Sequence, residues 1–334
     1  MKTNWSCLSN RLGRMHHDYR QALGAAILCL CGLMGRPAAA DADLVCVLVP
    51  HFKDEYWLSV ANGIETRAAL RGLHVRFFEA GGYRALQGQI AQLDSCQALQ
   101  PGAILIGAVS SDDPALLAAV ADAAKAQPVI GLVNELHSDA LAARVGVDWR
   151  DMGLGLGRFL AQAYPAGGRE RTAILLSGPP ESGWVAPLER GLREGLAGSA
   201  LRIVAVFGAD TGTSAQLRLL ERALSEVSQP DVIIGAAPAI EAAMAIQGGQ
   251  AGGPVLAATY VTHSVARGLV GGRIVAAPFD DPMKQGAMAI DAALAAMTGV
   301  RRTELVGPPI RVLTAGVDPA EIVLSPTDYF PALE

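Results

Sequence analysis

Five tyrosines and three tryptophans lie beyond residue 40, and six of these eight rings fall just past apolar, strand-like runs. Tyr56 and Trp57 come after the run 44–49, Tyr83 after 73–78 and Trp149 after 143–147. Trp184 comes after 172–176 and Tyr260 after 254–258, while Tyr164 and Tyr329 fall elsewhere. A group of such rings suits a methylated ammonium, whose spread positive charge is attracted to each ring face by about 0.5–2 kcal/mol. Tyr O–H and Trp N–H groups add donors for an acceptor on the same ligand. Asp54 could balance a cationic nitrogen, or could simply cap the helix that follows it. Sugar stacking is the competing chemistry, but a sugar site also needs many charged and amide groups. Here only Asn134, Asp148 and Asp280 stand in suitable places, with few arginines. Asp148 reads equally well as a hinge or cap residue. Any one of these rings is also an ordinary half-buried packing residue, so the set carries the reading.

Catalytic patterns do not emerge. Of the four histidines beyond residue 40 (His51, His74, His137, His263), no two stand at metal-ligand spacing. Ser177-Gly178-Pro179 is not a nucleophile elbow. Gly153-Leu154-Gly155-Leu156-Gly157 lies inside a helical stretch and suits close helix packing better than a dinucleotide loop. The expectation is a binding protein with no cofactor and no metal, not an enzyme.

The elements that must position these rings alternate. Strand-like runs at 44–49, 73–78, 103–107, 129–133 and 143–147 are separated by helical patterns at 57–71, 86–99 and 114–126. A second series follows. Its strands are expected at 172–176, 201–206, 231–235, 254–258 and 273–277, and its helices at 152–164, 185–196, 214–227, 239–247 and 282–297. Continuous apolar strands between helices indicate parallel sheets covered on both faces. The predicted class is α/β, with two doubly wound αβ lobes meeting near 147–148. With 334 residues the chain is long enough for two cores, since one core rarely grows past about 250 residues. In such sheets ligands bind beyond the carboxyl ends of the strands, where the six rings are expected.

The beginning of the chain reads differently. Lys2, Arg11, Arg14 and Arg20 precede an apolar run at 22–35, and Ala38-Ala39-Ala40 precedes Asp41. That order predicts a secretory signal peptide over residues 1–40. Beyond it stand 22 Lys and Arg against 31 Asp and Glu, and no basic tract points to nucleic acid. Two cysteines remain beyond it, Cys46 and Cys96. In an exported protein they form a candidate disulfide, with two separate buried thiols as the other reading.

The stretch Val147-Asp148-Trp149-Arg150-Asp151-Met152-Gly153 resembles the first lobe-to-lobe crossover of type I periplasmic binding proteins. Thr259-Tyr260-Val261-Thr262-His263 falls where that family places a ligand loop of its second lobe. The resemblance runs over nearly all of 44–315. It implies lobes of 41–148 with 281–298 and of 149–280 with 299–334, joined by a three-strand hinge around a ligand cleft. Four segments are similar to a narrower branch of the family: 50–60, Glu79-Ala80-Gly81-Gly82-Tyr83, 145–149 and Ile240-Glu241-Ala242-Ala243. That branch binds trimethylamine N-oxide (TMAO) and acts on a TorS-type membrane sensor histidine kinase that governs TMAO reductase expression. The resemblance thus implies a periplasmic location, TMAO or a related methylated amine as ligand, and the periplasmic domain of such a kinase as partner. Asp54, Tyr56, Trp57, Tyr83, Trp149, Trp184 and Tyr260 are the candidate ligand residues, on the placement of the rings after the strands and on Asp54's charge. A solute-binding component of an importer for a sugar or other small molecule is the alternative.

Overall fold

Short apolar runs give inner strands that are buried along most of their length, and these stack into two sheets. A computed structural model of the chain describes residues 41–248 and 252–333. The signal-peptide segment, 1–40, lies outside the described residues. The first sheet contains β1 (Asp41–Val49), β2 (His74–Glu79), β3 (Pro101–Ile106), β4 (Val129–Leu132), β5 (Ala143–Val145) and β11 (Arg302–Val306). Its order is β11-β5-β4-β3-β1-β2, parallel throughout. The second contains β6 (Arg171–Ser177), β7 (Leu201–Gly208), β8 (Val232–Gly235), β9 (Val255–Ala258), β10 (Ala276–Phe279) and β12 (Arg311–Thr314). Its order is β12-β10-β9-β8-β6-β7, with only β12 antiparallel.

Helices α1 (Glu55–Arg71), α2 (Leu86–Ala98), α3 (Pro114–Ala123) and α9 (Pro282–Met297) belong with the first sheet. Helices α4 (Trp149–Ala163), α5 (Val185–Gly195), α6 (Thr213–Glu226), α7 (Ala237–Gln247) and α8 (His263–Val270) belong with the second. The chain passes between the sheets three times: from β5 to α4, from β10 to α9, and from β11 to β12. This is the two-lobed α/β architecture that the alternation predicts. The glycines at 153 and 157 do pack helices closely. A Cβ at Gly153 would lie 2.7 Å from Leu192 N, and one at Gly157 would lie 2.9 Å from Gly195 Cα, so α4 and α5 touch backbone to backbone.

One assignment changes. The sequence reading places 299–334 in the second lobe, yet Arg302–Val306 pairs with β5 at the edge of the first sheet. All five of its residues are exposed, so the segment has no buried-strand pattern from which its sheet could be read. The tail also returns to the first lobe. Ser325 N donates to Ser59 Oγ (3.2 Å), Tyr329 Oη donates to Glu65 Oε2 (2.8 Å), and Leu333 bridges to Phe77 on β2. Cys46 on β1 and Cys96 on α2 are joined by a disulfide, with their Cα atoms 6.2 Å apart.

Candidate ligand-binding site

Both sheets aim the carboxyl ends of their strands at a shared cleft, and the loops there carry the rings. Asp54 begins α1 as its N-cap, accepting from Tyr56 N at 3.1 Å. This places Tyr56 and Trp57 on the first turn, both buried. Asp148 caps α4 in the same way, accepting from Arg150 N at 2.8 Å, so Trp149 starts that helix. Trp184 is the N-cap residue of α5, and Tyr260 follows β9. Tyr83 sits in the turn after β2.

The seven residues expected from the sequence line one cavity of about 20 Å³, together with Val133, Asn134 and Thr211. That is little more than one water needs, so the rings stand close around the space they enclose. The rings meet mostly edge to face. Tyr260 stands near-perpendicular to Tyr56 (centroids 5.4 Å apart), Trp184 (6.1 Å) and Trp149 (6.5 Å). Trp149 and Trp184 are tilted by 43° at 5.4 Å. These are favourable quadrupole arrangements that hold the ring faces in place.

The polar tips are organised as well. Tyr260 Oη donates to Asp54 Oδ2 at 2.5 Å, a bond between the lobes. Tyr56 Oη donates to Asp280 Oδ2 at 2.6 Å, and Gln285 Nε2 donates to both Asp280 Oδ2 (2.8 Å) and Tyr56 Oη (3.1 Å). Trp149 Nε1 donates to Val133 O at 3.1 Å. Asn134 Nδ2 donates to Ala108 O (2.8 Å) and to Tyr83 Oη (3.3 Å). Burial pushes the Asp54 carboxyl up to about 6, against the lowering effect of the bonds from Tyr260 and from Tyr56 N. Burial also lifts Asp280 to about 6, opposed by the bonds from Tyr56 and Gln285. Burial likewise raises Tyr83, opposed by the bond from Asn134 Nδ2.

Several contributors were not visible in the sequence. Val133 adopts φ 63°, an outlier for a β-branched residue. Asn134 N donates to Leu132 O at 2.7 Å, closing a three-residue turn around it. Such backbone costs about 1–3 kcal/mol and here aims the Val133 carbonyl at Trp149 and the Asn134 amide at Tyr83. His51 is fully buried and faces Asp210 (Nε2 to Oδ1, 2.8 Å) and Thr211 (3.1 Å) across the cleft. Asp210 Oδ2 also accepts from Tyr83 N at 3.1 Å. No local spacing announces these partners, because each pair is far apart in sequence. Among the described residues, no group of three or more His, Cys, Asp or Glu could hold a metal ion, and no helix is long and apolar enough to cross a membrane.

The family model described as a periplasmic binding protein domain matches residues 45–300. The chain belongs to the periplasmic binding proteins. This binding protein is 37% identical over 277 residues to the periplasmic protein TorT of Escherichia coli K12, covering 83% of this chain and 79% of that one. It is 32% identical, at a TM-score of 0.75, to a chain in the crystal structure of the TorS sensor domain–TorT complex in the absence of ligand. The match spans 87% of this chain and 99% of that one. The same complex in the presence of TMAO matches equally well. A solute binding protein of an ABC transporter from Bradyrhizobium sp. BTAi1, with bound Bis-Tris, is 34% identical at a TM-score of 0.72, covering 90% of this chain and 91% of that one.

Proposed function

We propose that this periplasmic binding protein senses TMAO in the aromatic cavity and, with it bound, acts on the sensor domain of a TorS-type histidine kinase. The chemistry is recognition, not catalysis. The observation that carries the reading is a small cavity walled by tyrosine and tryptophan, with one buried carboxylate at its edge. A trimethylated nitrogen is attracted to the ring faces. Its positive charge also stabilises ionised Asp54 at neutral pH, when burial alone disfavours that form.

The oxide needs donors, since an unpaired buried polar atom costs several kcal/mol. Tyr56, Tyr260 and Trp149 direct their protons to Asp280, Asp54 and Val133. Tyr83 and Trp184 line the same cavity, and their O–H and N–H are the donors suited to an oxide. The four sequence segments shared with the TMAO-sensing branch, and the likeness to TorT and its complex, support the partner. The Bradyrhizobium relative supports a second reading, solute delivery to an importer. A lining with one charged side chain, Asp54, and one amide, Asn134, disfavours a sugar in that role.

The test is calorimetry of the exported protein with TMAO, glycine betaine and ribose, alone and with the kinase sensor domain present. Saturable TMAO binding in either setting is expected. Binding of ribose but not TMAO would overturn the proposal.

A further inference from the structure

Trp57 and Trp184 are deeply buried, yet each has to retract far enough to leave a cavity between them. What lets each retract is a glycine at a strand end. Gly107 directly follows β3, and Gly178 directly follows β6. A Cβ built on Gly107 would lie 2.9 Å from Trp57 Cζ3 and closer still to Cη2. One built on Gly178 would lie 2.7 Å from Trp184 Cη2 and closer still to Cζ2. Each indole therefore brings its six-membered ring against bare backbone, one in each lobe. An indole is rigid and cannot bend around an added methyl, and close-packed interiors pass such strain on to the free space beside them. Here that space is the cavity.

We propose that Gly107 and Gly178 determine which ligands the cavity admits, by seating the two indoles and so fixing its width. The inference rests on the ligand reading above for the identity of the probe, but the seating itself is a matter of structure. One methylene of misfit in a pocket shifts affinity by about tenfold or more. Selection then acts by exclusion: a bulkier trimethylammonium such as glycine betaine meets the seated indoles.

The experiment determines crystal structures of Gly107→Ala and Gly178→Ala and measures TMAO and glycine betaine affinities by calorimetry. Each variant is expected to show its indole displaced into the cavity, with TMAO affinity reduced by about tenfold or more. Trp57→Phe added to Gly107→Ala should restore TMAO binding, because the smaller ring accommodates the methyl. An indole left in place, or a double variant no better than Gly107→Ala, overturns the proposal. Should neither glycine variant fold, Trp57→Phe alone decides: the betaine-to-TMAO affinity ratio should rise by about tenfold, and an unchanged ratio overturns it. Failure of the wild type to bind TMAO would count against the ligand, while the position of the indoles in the glycine variants would still decide the seating.

Discussion

Asp54 answers two demands at once, and its ionisation makes both measurable. As an N-cap it needs only an acceptor, which asparagine also supplies. As a partner for a cationic nitrogen it needs a charge. Its carboxyl ordinarily ionises near 3.8 but is lifted to about 6 in the folded protein, chiefly by burial. As pH falls below about 6 the folded state takes up a proton that the unfolded chain takes up only near 3.8, so the unliganded protein gains stability across that window. Asp280 contributes with the same sign. Asp112, Asp210 and Asp231 are held low, so their contribution is present above 3.8 and is lost as pH falls below it. Asp54→Asn should therefore melt higher than wild type at pH 8 without ligand, and its thermal midpoint should respond less to acidification from 7 to about 5. TMAO affinity should fall in the variant, and in wild type on acidification through about 6. A variant that binds TMAO as well as wild type removes the charge role. Trp149 gives a second test. Its N–H goes to Val133 O, so it serves the ligand through its ring face, and Trp149→Ala should weaken TMAO by more than about tenfold by calorimetry. The rings were legible in the sequence because scarce Tyr and Trp stand just after apolar runs. Asn134 could be named only as a sugar contact, because its bonds to Ala108 O and Tyr83 depend on a turn that nothing local predicts.

Between residue and molecule lie the elements, where the alternation of strand and helix was legible and the chain's last third was less so. Helix α9 begins and ends at the expected residues, since Pro282 opens it and Asp281 caps it. The last strand of the second series is displaced, forming at Ala276–Phe279 rather than 273–277. The backbone N–H groups of Arg273 and Ile274 go instead to Gly268 O in α8, so bonding to the neighbouring strand begins only at Val275. Strands β11 and β12 and helix α8 were not read at all. The two strands are largely exposed and carry no buried run, and the eight-residue α8 is too short for a periodic signal. The pairing of Cys46 with Cys96 was open from sequence because it depends on how α2 crosses β1. That bond closes a loop of 50 residues, and on a chain-entropy view it stabilises by about 4 kcal/mol. Cys46→Ala/Cys96→Ala should lower the thermal midpoint by several degrees, and reductant should do the same to wild type but not to the variant. Equal midpoints would show that the bond adds nothing to stability.

Across the whole molecule, the bonds that join the lobes are few and unevenly placed. Tyr260 reaches Asp54, and Glu55 Oε2 accepts from Ser264 N at 3.1 Å. His51 and Tyr83 N both turn to Asp210. The tail adds a strap, since His263 Nε2 meets Ser325 O (2.7 Å) while Ser325 N holds Ser59. A ligand that touches both lobes shifts the balance toward closure only by its difference in affinity for the two states. The converse also holds, because weakening the closed state lowers apparent affinity by the fraction that remains competent. Asp210 is the position at which this can be separated from ligand contact. It is half-buried and is not among the residues lining the cavity, yet it serves two first-lobe partners at once. Asp210→Ala removes both bonds without touching a ring. The expected result is a larger radius of gyration in solution scattering without ligand, with TMAO affinity reduced by about three- to thirtyfold. Saturating TMAO should bring the scattering curve back to that of the liganded wild type. If affinity falls while the unliganded curve is unchanged, Asp210 acts on the site through Tyr83 rather than on closure. If neither moves, the bonds across the cleft do not set the balance between open and closed forms.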